Sequence, residues 1–101
     1  MGGRIMVSYH VHPDQAALNE ELVRGVYEEL EQSAPDGFHY ATFVKDDGVS
    51  FVHIASHKDD DSPLLDLAAF QAFQAGIKDR CQEPPVRVDL REIGSYRFWG
   101  M

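Results

Sequence analysis

The feature that most restricts this chain is a pair of β-rich runs, Phe38–Lys45 and Val49–His57, joined through Asp46-Asp47-Gly48. The Asp47-Gly48 pair is expected to supply the positive φ angles that a tight hairpin needs. With those two residues as the loop, Lys45 pairs with Ser50, Phe43 with Val52 and Ala41 with Ile54. The other face then carries Phe38, Tyr40, Thr42, Val44, Phe51, His53, Ala55 and His57. An antiparallel hairpin with one wet side alternates apolar and polar residues. Both faces here are substantially apolar, so the hairpin reads as covered twice.

The flanking segments complete a recognisable order. Ile5, Val7, Tyr9 and Val11 alternate onto one face of a strand, opposite Met6, Ser8, His10 and His12. Pro13 stops that strand, and Asp14 is expected to cap the helix that follows. Leu18, Leu22, Val26 and Leu30, flanked by Val23 and Tyr27, form the apolar stripe of that helix, and Pro35-Asp36-Gly37 closes it. Ser62-Pro63 opens a second helix through Leu64, Leu67, Phe70, Phe73 and Ile77, and Pro84-Pro85 ends it. A last alternating run from Val86 to Ile93 is kinked at Gly94 and continues to Phe98. The expectation is strands near 4–11, 38–45, 49–56 and 86–98, and helices near 14–33 and 63–81. That order, β-α-β-β-α-β, is an α+β ferredoxin-like sandwich, with residues 1–101 as a single domain.

Both helices of such a fold pack on one face of the sheet. The other face, with its apolar hairpin residues, would be a large exposed patch on a monomer. Burial against the same face of a second copy is the simplest closed solution, so a homodimer is expected. Charge excludes other partners. Seventeen acids against nine bases leave a net charge of −8 without a local basic patch, which disfavours nucleic acid. No apolar run approaches the roughly 20 residues that span a bilayer. The segment from Met1 to Met6 lacks the apolar core of a signal peptide, and Cys81 is the only cysteine. A cytoplasmic location is therefore expected, without disulfides or a Cys-rich zinc module.

The first strand, His39–Val44, Val49–Ser56, Leu64–Ile77 and Val86–Phe98 together resemble the dimeric α/β-barrel superfamily. Within it the likeness is to antibiotic-biosynthesis-monooxygenase (ABM) domains, and Ala69-Phe70-Gln71-Ala72-Phe73 resembles that family's aromatic helix. The resemblance spans most of the chain and rests on fold and packing. It implies a cofactor-independent monooxygenase acting on an aromatic, quinol or polyketide-type substrate. A haem-handling protein and a non-catalytic ligand-binding or structural homodimer are the alternatives. Haem would need an axial histidine and cations for its propionates, whereas residues 1–77 carry 13 acids and 4 bases. Many members carry an acid and a tryptophan in the third strand. This chain has His53-Ile54-Ala55-Ser56 there, so its candidates come from position alone.

Such an oxygenase needs a base, hydrogen-bond donors and a dry aromatic pocket. His53 is the candidate base, because its unperturbed pKa lies near neutrality, and Tyr40 is its catalytic companion. Tyr9, Thr42, Phe51, Phe70, Phe73 and Trp99 are the expected pocket residues, between sheet and helices. A buried histidine bonded to Thr42 or a backbone carbonyl would look the same in sequence, and phenylalanines at helical spacing read first as core. The five histidines, at 10, 12, 39, 53 and 57, do not form a metal motif. His12 and His57 are expected at exposed strand ends. No metal and no cofactor are expected. The Asp59-Asp60-Asp61 run reads as a solvated loop and Cys81 as structural.

Overall fold

A computed structural model of the protein describes residues 3–57 and 62–98. Its elements are β1 (Gly3–His10), α1 (Ala16–Ser33), β2 (Phe38–Val44), β3 (Ser50–His57), α2 (Ala68–Ala75), α3 (Ile77–Arg80) and β4 (Val86–Leu90). The four strands form one antiparallel sheet in the order β2-β3-β1-β4. This is the ferredoxin-like sandwich expected from the order of elements.

The hairpin register is the expected one: Phe43 faces Val52, Ala41 faces Ile54 and Thr42 faces His53. The turn that sets it is built differently. The Gly48 N–H donates to the Lys45 carbonyl at 2.9 Å, so Asp46 and Asp47 are its central residues. Within this turn only Gly48 has a positive φ, at 76°. The Asp47 carboxylate accepts from the Val49 and Ser50 N–H groups and from the Ser50 hydroxyl, which holds its pKa below the usual carboxylate value. A side-chain clamp at Asp47 does the work assigned to a second left-handed residue.

Alternation then sorts every strand. Tyr40, Ala55, Ile5 and Asp89 form one row across the sheet, and Thr42, His53, Val7 and Arg87 the next. These rows face the helices. The opposite face carries Ala41, Ile54, Met6 and Val88 in one row and Phe43, Val52, Ser8 and Val86 in the next. On that helix-free face Phe43 is 50% exposed and Val86 58%. The core lies between sheet and helices, where Tyr9, Val11, Val23, Val26, Phe51, Leu64, Leu67 and Phe73 are buried together.

Three expectations need correction. The first concerns α1, which is rotated from the expected stripe. Leu18 is 49% exposed, and Asn19 is completely buried beside Val23 and Val26. The Asn19 amide is hydrogen-bonded on both its oxygen and its nitrogen, which makes burial of a polar group tolerable. Asp14 does not cap α1: it lies inside a short 3₁₀ turn, Pro13–Gln15, and Gln15 precedes the helix without a side-chain cap.

The second concerns the single helix expected over 63–81, which is broken into three pieces. Ser62 caps only a 3₁₀ turn, Pro63–Asp66, by accepting from the Leu64 N–H. Leu67 is extended, at ψ 127°, and α2 starts anew at Ala68. Its first N–H groups are satisfied by another helix, since the Glu29 carboxylate of α1 accepts from Ala68 and Ala69 at 3.3 and 2.8 Å. The third concerns β4, which stops at Leu90 rather than running to 98. Leu90 pairs with Arg4 near the start of β1, and beyond that β1 offers few residues to pair with. Residues 91–98 are not strand, and Ile93 and Tyr96 are 89% and 81% exposed.

Candidate functional site

His53 sits in the middle of β3 on the helix-facing side and is 5% exposed. Both of its ring nitrogens are engaged by hydroxyl groups. Nε2 is 2.7 Å from the Tyr9 hydroxyl. Nδ1 is 2.7 Å from the Tyr40 hydroxyl and 3.1 Å from the Thr42 hydroxyl. Strand geometry explains the convergence: Thr42 lies directly opposite His53, Tyr40 is two residues along the same face of β2, and Tyr9 projects from β1 on the other side. Tyr27 of α1 bonds to Thr42 at 2.8 Å and stacks on Tyr40 with ring centroids 5.3 Å apart.

Burial sets the electrostatics. Desolvation pushes the His53 imidazole down to about 4, so it is neutral at neutral pH. Desolvation also raises the Tyr9, Tyr40 and Tyr27 phenols above their ordinary value, and all three keep their protons. The cluster is therefore uncharged, with one proton on the imidazole and one on each tyrosine hydroxyl. One charge stands behind it. Arg80 is 4% exposed; its Nε donates to Asn19 Oδ1 at 3.0 Å, and Asn19 Nδ2 donates to the Tyr9 hydroxyl at 2.9 Å.

In front of the cluster is a cavity of about 480 Å³. Tyr9, Tyr40 and His53 form its polar floor. Ile5, Val7, Leu64, Phe70, Phe73 and Ile77 are among its apolar walls, and His57, Gln74 and Arg87 also line it. Arg87, on the edge strand, has no carboxylate within 4 Å among the described residues, which leaves an unpaired cation on the wall.

The structure thus brings together His53, Tyr40, Tyr9, Phe70 and Phe73, as the sequence led us to expect. Thr42 and Phe51 do not line this cavity. Thr42 supports His53 from behind, and Phe51, 2% exposed, stacks flat on the Tyr9 ring at 5.6 Å. Both border a shallower groove beside α1 instead. Trp99 and Asp59-Asp60-Asp61 lie outside the described residues. His57 is half-buried and lines the cavity, contrary to the exposed strand end expected for it. Asn19, Arg80 and Arg87 were missed. A polar residue on the buried series Asn19, Val23, Val26 was the legible sign for the first. Cys81 is buried at the end of α3, and burial pushes its thiol pKa up, which suits an inert thiol. Among the described residues no three His, Cys, Asp or Glu side chains lie close enough to hold one metal ion.

No protein-family sequence model matches the chain, and no curated protein matches it by sequence. Solved structures do match in shape. A protein from Nitrosomonas europaea named "Putative antibiotic biosynthesis monooxygenase" superposes with a TM-score of 0.74 at 17% identity, over 91% of this chain and 90% of that one. A protein of the same name from Bacteriodes thetaiotaomicron gives 0.77 at 10% identity, over 91% and 90%. Rv0793 from Mycobacterium tuberculosis gives 0.72 at 16%, over 94% of this chain and 98% of that one. The chain has the ferredoxin-like fold of ABM-type proteins, over nearly its whole length.

Proposed function

We propose that this chain is a small-molecule-handling protein of ABM type whose cavity takes a hydroxylated aromatic, quinol or polyketide-like compound, and that it acts as a cofactor-independent monooxygenase. The observation that carries the reading is the floor of the cavity: two tyrosine hydroxyls joined through one neutral imidazole, beneath otherwise apolar walls. The volume suits a ligand of two or three fused rings. A phenol or enol O–H placed on that floor meets groups that accept and return protons, and the apolar walls keep water from competing. Loss of the proton makes the ring electron-rich. In the balanced reaction a ring CH₂ and dioxygen give a ring C=O and water, with both electron pairs supplied by the substrate. Arg87 supplies a positive charge on the cavity wall beside the ligand oxygen that gives up its proton.

In this reading residues 1–101 act as one domain in a cytoplasmic homodimer, joined through the helix-free face of the sheet. The lone buried thiol of Cys81 accords with a reducing compartment. Among the described residues no helix is long and apolar enough to cross a membrane. A second reading, a non-catalytic ligand-binding or structural dimer, is favoured by one observation: both His53 nitrogens are already bonded, which also suits a purely structural histidine.

Oxygen uptake with a hydroxyanthrone separates the two. An oxygenase incorporates one atom of labelled dioxygen into the product, and His53→Ala and Tyr40→Phe each lower turnover by about 10²–10⁴-fold in folded protein. Binding without uptake selects the second reading. Unchanged turnover in folded His53→Ala removes this cluster from the chemistry.

A further inference from the structure

Arg80 is a buried cation that does not itself line the cavity. Among the described residues it has no carboxylate within 4 Å. It is nevertheless firmly held. Nη2 donates to the Phe73 carbonyl at 2.7 Å, the guanidinium lies 5.1 Å from the centre of the Phe73 ring, and Gly76 leaves room for it, since a Cβ there would sit 3.1 Å from Nη1. A guanidinium can only donate. The Asn19 oxygen must therefore face Arg80, which turns the Asn19 NH₂ toward Tyr9. The Tyr9 oxygen receives that N–H, and the best-placed acceptor for its own proton is His53 Nε2, at 2.7 Å. A neutral imidazole that accepts at Nε2 carries its proton on Nδ1. That N–H points at Tyr40, at 2.7 Å, with the Thr42 hydroxyl farther off at 3.1 Å, and the Tyr40 hydroxyl proton is left to be given onward.

We propose that Arg80 and Asn19 are positioning residues that hold His53 in the Nδ1–H tautomer, so that Tyr9 is the cavity group that takes a proton from the ligand and Tyr40 the one that gives a proton to it. The roles rest on the proposed function; the tautomer does not. Each transfer balances. A ligand O–H proton moves to the Tyr9 oxygen as the Tyr9 proton moves to Nε2, and the Nδ1 proton moves to Tyr40 as the Tyr40 proton moves to a second ligand oxygen. The imidazole passes a proton across without holding a net charge. In the reversed tautomer the two tyrosines would exchange roles, and the Tyr9 proton would point away from its nearest acceptor.

The test is nitrogen-detected NMR of the labelled histidine side chains without ligand, with His53 assigned by loss of its signal in His53→Gln. Wild-type protein should show a protonated Nδ1 and a pyridine-type Nε2. Asn19→Asp is nearly isosteric and keeps a partner for Arg80, but the new carboxylate can only accept. The Tyr9 proton should then turn to that carboxylate, and His53 should switch to Nε2–H. With a hydroxynaphthoquinone as probe, the same variant should bind roughly tenfold more weakly, because Tyr40 now donates to Nδ1. Should Asn19→Asp not fold, Arg80→Gln frees the amide to turn, and a mixture of tautomers is expected. Wild-type protein in the Nε2–H form, or a folded variant that keeps the wild-type tautomer, overturns the proposal. If the tautomer switches and probe affinity does not change, the positioning role stands for His53 and the assignment of roles to the two tyrosines fails.

Discussion

At the scale of single residues, the consequential event is the burial of one imidazole among hydroxyls. His53 is neutral in the folded protein because desolvation lowers its pKa to about 4. The unfolded chain binds a proton there near pH 6.5. Between those two values the unfolded state holds more protons, so stability falls as pH drops from about 6.5 to about 4 and is fully present above that window. The shift corresponds to at most about 3 kcal/mol. We expect denaturant unfolding of wild-type protein to lose roughly that much more stability than His53→Gln across the same window. Parallel curves for the two proteins would show that His53 is not held neutral by the fold. Tyr9 and Tyr40 were legible beside His53 because strand alternation puts them on one face. Asn19 and Arg80 were hidden, because their contact joins residues 61 apart in sequence.

At the scale of elements, local signals were trustworthy where one segment satisfies itself and failed where another segment does so. The hairpin is the first kind: Asp47 and Gly48 close the turn with their own groups, and the register follows from the sequence between the strands. The second helix is the other kind. Nothing local at Leu67 or Ala68 caps α2; the Glu29 carboxylate reaches across from α1, where Gly25 lets the two helices approach until its Cβ would lie 3.9 Å from that of Ala69. Capping bonds of this kind contribute about 0.5–2 kcal/mol. Glu29→Ala should therefore lower the stability to unfolding by an amount in that range, and amide exchange should speed up at Ala68 and Ala69. Glu29→Gln keeps an acceptor and should recover part of the loss. Equal stability in all three proteins would place the cap elsewhere.

At the scale of the whole molecule, the sheet has one face under helices and one that is bare among the described residues. The bare face carries Met6, Ala41, Phe43, Val52, Ile54 and Val88, a continuous apolar surface of the kind that monomers rarely leave in water. Light scattering at micromolar concentration should give about twice 11.4 kDa. Val88→Asp, at a position 40% exposed on the edge strand, should return the mass toward one chain without loss of secondary structure. A monomeric wild-type protein would leave the bare face to another partner.

By itself the sequence determined the order of elements, the hairpin register and the shared face of the hairpin on which Tyr40 and His53 stand. Each follows from periodicity and turn chemistry, which act over a few residues. Only the tertiary structure decided the rotation of α1 that buries Asn19, the break of the second helix at Leu67, the end of β4 at Leu90 and the placing of Arg80 behind Tyr9. Each depends on which distant group satisfies a buried polar atom or provides a strand partner. Hydrophobic pattern says that a face is buried; only the assembled chain says which donor meets which acceptor there.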